Sequence, residues 1–154
     1  MWSADNTRVA FTNANVLYER PVTALESARL LLRAAPGDQI RSTSWSPDGR
    51  FILIDRESPQ AGRDVWAVSR PDGRAAPLIF TPYVERNVEF SLDGKWVAYT
   101  VIDSSGQNVY VTGVDASSST LKVGGGPWRV STGGGESCDG ERMAARSFMP
   151  APNQ

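Results

Sequence analysis

The sequence predicts an all-β protein made of about three repeats, and three observations lead to that prediction. A turn motif of the form aromatic–Ser–x–Asp recurs at residues 2–6, 45–49 and 90–94. Its aspartate returns after 43 residues and again after 45, and an apolar, strand-like segment follows each copy. This spacing fits one blade of a β-propeller, which has four short strands over roughly 40–45 residues. The predicted fold is therefore a partial β-propeller of about three four-stranded antiparallel blades, an incomplete ring.

The first repeat begins at the N-terminus of the chain. Trp2 and Asp5 occupy the motif positions, and Asn6 stands where the other two copies have glycine. Asparagine tolerates the left-handed backbone conformation that such a turn requires. Strands are predicted at residues 8–11 and, as a shorter counterpart of the third strand, at residues 15–18.

Local propensity and the repeat disagree in one segment of the first repeat. Residues 24–33 consist of good helix formers. The repeat, however, places an outer strand at about residues 30–32. We give precedence to the repeat, because tertiary context often overrides intrinsic propensity.

The second and third repeats carry the complete motif with a final glycine: Trp45, Asp48 and Gly49 in one, and Phe90, Asp93 and Gly94 in the other. The segments that follow predict further strands at residues 50–54, 64–68, 78–80, 96–99 and 108–111. Residues 70–73, Arg-Pro-Asp-Gly, predict a tight turn, because proline presets φ and glycine accepts a positive φ.

Each residue type in the motif has a structural role in this interpretation. The aromatic side chain fills the space between neighbouring blades. The aspartate accepts hydrogen bonds from nearby backbone N–H groups, while the glycine adopts the left-handed conformation. Calcium ligation by Asp48 and Asp93 is the functional alternative, and we favour the turn role.

The composition excludes several kinds of site. The 154 residues include no histidine, so a Ser-His-Asp triad, a Cys-His pair or a histidine-bound metal cannot form within the chain. Cys138 is the single cysteine, which excludes an internal disulfide and a zinc site. Sixteen basic and seventeen acidic residues nearly cancel, and no apolar stretch has the length of a membrane span. We expect no catalytic residue, cofactor or metal, no nucleic-acid binding and no membrane insertion by this segment.

The motif residues resemble a known repeat family. Trp-Ser-Pro-Asp-Gly at 45–49 and Asp-Val-Trp-Ala-Val at 64–68 resemble TolB-like, WD40-like β-propeller repeats, over roughly residues 1–137. Asn-Val-Tyr-Val at 108–111 and Trp-Arg-Val-Ser-Thr-Gly-Gly-Gly at 128–135 are similar to the C-terminal propellers of some bacterial serine/threonine protein kinases. The resemblance implies a sensing or docking domain, since the chain lacks the kinase Gly-rich loop, His-Arg-Asp loop and Asp-Phe-Gly motif.

Both ends of the chain are expected to be incomplete. Known propellers close with about four to eight blades, so we expect a fragment of a larger protein. Uncovered blade faces would be apolar patches, which soluble monomers rarely expose; self-association through these faces is an open alternative. Residues 138–154 form an irregular tail that another reading frame can convert into a fourth turn motif and strand. A frameshifted fourth blade is our hypothesis for this tail, and a native disordered tail is the alternative.

The leading functional prediction is a non-catalytic protein-interaction or sensor module with protein or peptide partners. Tyr83 and Trp128 are the candidate binding residues, because exposed aromatic side chains contribute strongly at protein interfaces; packing between blades is the alternative for both. Two other functions stay open. One is the propeller of a prolyl-oligopeptidase-like serine hydrolase whose triad lies in a separate domain. The other is a periplasmic TolB-like envelope protein, and the compartment is undetermined.

Overall fold

The computed structural model describes residues 1–23 and 27–131, and these residues form three antiparallel sheets without a helix. The first sheet contains β1 (Arg8–Asn13), β2 (Val16–Pro21) and β3 (Arg29–Arg33). The second contains β4 (Gln39–Trp45), β5 (Phe51–Ser58), β6 (Gly62–Ser69) and β7 (Ala75–Ile79). The third contains β8 (Val84–Phe90), β9 (Trp96–Asp103), β10 (Gly106–Asp115) and β11 (Lys122–Arg129). No helix in these ranges could cross a membrane.

Each sheet is an up-and-down meander and corresponds to one predicted repeat. We call the sheets blade 1, blade 2 and blade 3 in chain order. Blade 1 has three strands, and an isolated bridge takes the place of its first strand. In every blade the aromatic motif residue pairs with the residue seven positions later: Trp2 with Val9, Trp45 with Ile52, and Phe90 with Val97. The all-β class and the three blades are therefore confirmed.

The outer strand of blade 1 resolves the conflict between propensity and repeat. Residues Arg29–Arg33 form β3 and pair with β2, so the helical alternative is wrong for them. The strand conformation is favoured over a helix because it buries Leu31 between blades 1 and 2. A short helix without such packing is only marginally stable. Residues 24–26 lie outside the described residues, as do Cys138, the boundary at residue 137 and the tail 138–154.

Two apolar cores lie between the blades. The core between blades 1 and 2 combines Ala10, Leu17, Leu31, Ile40, Trp45, Ile52, Ile54 and Val68. The core between blades 2 and 3 combines Phe51, Leu53, Val65, Ala67, Leu78, Ile79, Val88, Phe90, Val97, Tyr99, Val101 and Leu121. Trp45 and Phe90 thus fill the space between blades, whereas Trp2 is 59% exposed because no described blade precedes blade 1.

A buried ion pair joins blades 1 and 2. Glu19 of β2 is 1% exposed, and its Oε2 accepts hydrogen bonds of 2.6 Å from Nε and Nη2 of Arg70. The guanidinium also donates to the carbonyl of Gly49 at 2.6 Å and lies 4.7 Å above the ring of Trp45. Two further arginines lie 3.7 Å from Oε1 of Glu19, so the buried carboxylate is paired on both of its oxygens. The contacts of Arg70 join the 70–73 turn to blade 1.

We predict that Gly73→Ala destabilises this contact by more than about 2 kcal/mol. Gly73 has φ +70°, and a Cβ built on it would lie 1.9 Å from the carbonyl oxygen of Leu31 in blade 1. Chemical denaturation measures the change. Gly62→Ala is the matched control, since Gly62 has φ +82° and nothing within 4 Å of the added atom. The control should cost only the backbone strain, about 1 kcal/mol; equal losses in both variants would contradict the clash.

Candidate functional site

The motif turn is a local hydrogen-bond unit, seen most completely in blade 2. Ser46 Oγ donates to Asp48 Oδ1 at 2.7 Å and accepts from the N–H of Phe51 at 2.9 Å. The same Oδ1 accepts from the N–H of Arg50 at 3.0 Å. Gly49 adopts φ +76°, which lets the chain reverse into β5. The serine links the two strands, although sequence reasoning had emphasised only the aromatic, aspartate and glycine positions.

The other two turns repeat the unit atom by atom. The serine-to-aspartate bond is 2.6 Å both from Ser3 to Asp5 and from Ser91 to Asp93. Asn6 has φ +56° and Gly94 has φ +69°, so asparagine serves the first turn as predicted. The hydrogen bonds from Ser3 and Thr7 lower the pKa of Asp5 to about 2. Those from Ser91 and Lys95 lower the pKa of Asp93 in the same way.

Asp48, the aspartate of the middle turn, uses both carboxylate oxygens in hydrogen bonds within the turn. Burial by itself would raise the pKa of Asp48, but hydrogen bonds from Arg50 and Ser46 outweigh it and the pKa is lowered. Asp48 Oδ2 accepts from Arg50 Nε at 2.7 Å, so both carboxylate oxygens have partners. Among residues 1–23 and 27–131, no group of three or more acidic, histidine or cysteine side chains is arranged to hold a metal ion. Asp48 therefore makes the turn hydrogen bonds that its motif position predicts.

A second repeated contact joins the blades at the middle of their strands. Thr12 and Asp55 each lie seven residues after a motif aspartate. Thr12 Oγ1 accepts from the N–H of Ser42 at 3.1 Å, and Asp55 Oδ2 accepts from the N–H of Asn87 at 3.2 Å. Ser42 and Asn87 both lie at register shifts in the first strand of the following blade. A side chain of one blade therefore satisfies a backbone donor that a bulge has released in the next.

Of these two contacts, the one made by Asp55 is opposed by the desolvation of a buried carboxylate. It is 6% exposed, and its Oδ1 has no hydrogen-bond partner. Burial raises its pKa, against the opposing hydrogen bond from Asn87 and the charge of Arg41. Burial also raises the pKa of Asp64 and of Glu85. Carboxylates with raised pKa values thus gather towards the ends of the strands opposite the motif turns.

The connection from β7 to β8 lies at this end and carries two exposed aromatic side chains. Phe80 is 71% exposed and Tyr83 is 51% exposed. We call residues 80–83 the aromatic loop. Sequence reasoning singled out Tyr83 but assigned Phe80 to the outer strand, which ends at Ile79. The Pro82 that follows was the available signal for an earlier strand end, because proline donates no hydrogen bond to a strand ladder.

The side chain of Glu85 holds the aromatic loop in place. Glu85 is fully buried, and Thr81 donates to it through both Oγ1 and, at 3.4 Å, its backbone N–H. Thr81 Oγ1 in turn accepts from the N–H of Tyr83 at 3.2 Å. The hydrogen bonds of the loop are therefore directed inward, and its two aromatic rings are directed to solvent.

Trp128, the other predicted binding residue, lies on a different element. It is in β11, 47% exposed, and meets Trp96 edge-on with ring centroids 5.8 Å apart. Neither Tyr83 nor Trp128 is enclosed between described blades.

We predict that Asp55→Asn raises the unfolding free energy at pH 7 by about 1 kcal/mol, because a buried charge is removed while an acceptor for Asn87 is retained. When folding raises the pKa of a carboxylate, the free energy of unfolding decreases as the pH rises above the ordinary pKa of that carboxylate. As the pH falls from 7 to about 4, close to the ordinary aspartate value, the stability advantage of the variant over the wild-type chain should therefore shrink. Urea unfolding at both pH values measures this. Asp72→Asn, at an exposed turn, is the control; parallel pH profiles for Asp55→Asn and wild type would contradict the prediction.

The described fold is similar to β-propellers of known structure. A protein assigned as TolB from Agrobacterium tumefaciens matches 79% of this chain and 43% of its own length, with 18% identity and a TM-score of 0.63. TolB from Acinetobacter baumannii matches 79% of this chain and 30% of its own length, with 16% identity and a TM-score of 0.58. Dipeptidyl peptidase 4 from Porphyromonas gingivalis matches 80% and 24%, with 12% identity and a TM-score of 0.59.

No protein-family model matches the chain, and no curated protein is significantly similar to it. The chain spans less than half the length of each of the three proteins of known structure. At these identities the likeness concerns the fold. The described residues therefore form three consecutive blades of a TolB-like β-propeller fold.

Proposed function

We propose that this chain is a non-catalytic protein-interaction segment of a β-propeller, and that the aromatic loop at residues 80–83 is its peptide-binding element. The observation that carries the proposal is the exposure of Phe80 and Tyr83, three residues apart in the aromatic loop. Hydrogen bonds to the buried Glu85 and to Thr81 hold the backbone of this loop. Loops on a rigid β scaffold are the usual location of binding residues. The partner class is a protein or peptide that offers apolar side chains.

The loop is suited to binding because its backbone would lose little further conformational entropy when a partner binds. Association is opposed by the entropy lost when loops and side chains become fixed. In the aromatic loop, the bonds among Thr81, Tyr83 and Glu85 already fix the backbone. Each ring has only two side-chain torsions, so large apolar area is offered at a small entropic cost.

The chemistry of the described residues supports binding rather than catalysis. Glu85 and Asp64 are the acidic groups near the loop, and Asp64 contributes to the raised pKa of Glu85. Glu85 is fully buried and bonded to Thr81, so it faces away from any ligand on the loop. With no histidine in the chain, a histidine base is also absent. We place the segment in a larger protein, and a bacterial receptor-type kinase with an extracytoplasmic sensing domain is our proposal for that parent.

A displayed library of random linear peptides tests the proposal. We expect selection on the wild-type chain to enrich peptides containing aromatic or branched apolar residues. The double variant Phe80→Ser/Tyr83→Ser should bind the enriched peptides at least about tenfold more weakly, because interface aromatics often contribute about 2 kcal/mol or more. Fluorescence anisotropy with labelled peptides gives the dissociation constants.

Leu92→Ser is the matched control. Leu92 is 77% exposed and lies in the motif turn after β8, at the end of that strand opposite the aromatic loop. The substitution removes one exposed apolar side chain without touching residues 80–83. Unchanged affinity in this control together with the loss in the double variant would support the loop. Failure to enrich any peptide, or equal loss in both variants, would overturn the proposal.

A further inference from the structure

The two contacts between blades use the same positions of the repeat. We call the side of a blade turned to the preceding blade its front face, and the side turned to the following blade its rear face. The front faces of blades 2 and 3 present the motif aromatic and the residues seven and nine positions later: Trp45, Ile52 and Ile54, then Phe90, Val97 and Tyr99. The rear faces of blades 1 and 2 present the equivalent pairs Ala10 with Leu17 and Leu53 with Val65.

The front face of blade 1 has aromatic or apolar side chains at the same three positions, and none of the described residues covers it. Trp2 is 59% exposed, whereas its equivalents Trp45 and Phe90 are 8% and 9% exposed. Phe11 is 37% exposed, whereas its equivalent Ile54 is fully buried. Phe11 also stacks on Tyr18 with ring centroids 5.6 Å apart, which continues the apolar surface across β2. This face has the side chains of a blade contact and none of the described residues opposite it.

The rear face of blade 3 is the complementary half. Its central residues, Ala98 and Val111, are paired across β9 and β10 as Leu53 and Ala67 are paired in blade 2. Both are partly exposed, whereas Leu53 and Ala67 are buried; Val109, the equivalent of Val65 on this face, is 6% exposed. Trp128 pairs with Val111 and extends the face to the outer strand, with 47% of its surface exposed.

We propose that two copies of this chain associate head to tail, with the rear face of blade 3 in one copy packed on the front face of blade 1 in the other. The contact would be a third example of a packing that the chain already makes twice. Two copies related in this way cover both pairs of faces and close a ring of six blades. Six lies within the range of known propellers, about four to eight. Closure also prevents the open-ended growth that head-to-tail contacts otherwise produce.

Sedimentation velocity over about a hundredfold range of concentration tests the association, because a reversible dimer follows mass action. We expect a species of twice the chain mass that dissociates on dilution. A monomer at every concentration would overturn the proposal, and is the result expected if a further blade of a longer chain normally occupies these faces. Growth beyond the dimer would overturn ring closure and with it the proposal.

Two face variants distinguish front-to-rear association from front-to-front or rear-to-rear association. Phe11→Glu blocks the front face of blade 1, and Trp128→Glu blocks the rear face of blade 3. Each variant alone should dimerise at least about tenfold more weakly, because an unpaired carboxylate would be buried in an apolar contact. An equimolar mixture should recover a mixed dimer, since each variant retains the face that the other lacks. Front-to-front or rear-to-rear association predicts instead that one variant alone dimerises like the wild-type chain, which would overturn the proposal.

Phe80→Glu is the matched control, because Phe80 is the more exposed aromatic of the aromatic loop and belongs to neither face. It should dimerise like the wild-type chain. Far-ultraviolet circular dichroism and thermal unfolding establish that all three variants are folded. Equal loss of dimer in the control and in both face variants would contradict an interface made by these faces.

Discussion

The middle blade buries both of its faces, and the rest of the structure depends on that double burial. Phe51 and Leu53 point to blade 3, while Ile52 and Ile54 point to blade 1, and all four are at most 1% exposed. The strand therefore reads as a continuous apolar run instead of the alternating pattern of a half-exposed strand. Blades 1 and 3 each have one such covered face, and Trp2, Phe11 and Trp128 are exposed on their outward faces.

The motif turn makes this packing repeatable. Its serine and aspartate hold the reversal between the first and second strands of each blade, so the aromatic residue always has the same partner seven positions later. The bonds are made to an ionised carboxylate, which is why the pKa values of Asp5, Asp48 and Asp93 are all lowered. A turn with constant geometry gives every blade the same front face. The equivalence of the faces, and the possibility of joining copies through them, follows from that.

The buried carboxylates at one end of the blades differ in pKa from the carboxylates of the motif turns at the other end. At the motif turns, hydrogen bonds stabilise the charged form. Towards the other end, Asp55, Asp64 and Glu85 are desolvated and their pKa values are raised. Groups with perturbed pKa values often mark functional regions. Glu85 lies under the aromatic loop, where its buried carboxylate accepts hydrogen bonds from Thr81. The two aromatic rings of that loop face the solvent.

Interactions among neighbours in the chain were readable from the sequence. The repeat spacing and the three turns depend on local hydrogen bonding. The repeat also predicted a strand at Arg29–Arg33, against the local helix propensity of that segment. Blade identity could therefore be predicted, and Tyr83 could be named as a candidate because aromatic residues in loops are few. The tail after residue 137 stays a prediction.

The tertiary structure alone decided which equivalent residues are covered and which buried groups are paired. Glu19 meets Arg70 from 51 residues away, and Asp55 meets Asn87 from 32 residues away. Trp2 and Trp45 have the same local sequence context, yet one is exposed and the other is buried. Burial between blades depends on whether another sheet lies opposite, and no local pattern encodes that. The sequence thus determined what each blade is, and the packing of sheet on sheet determined which surfaces remain available for binding.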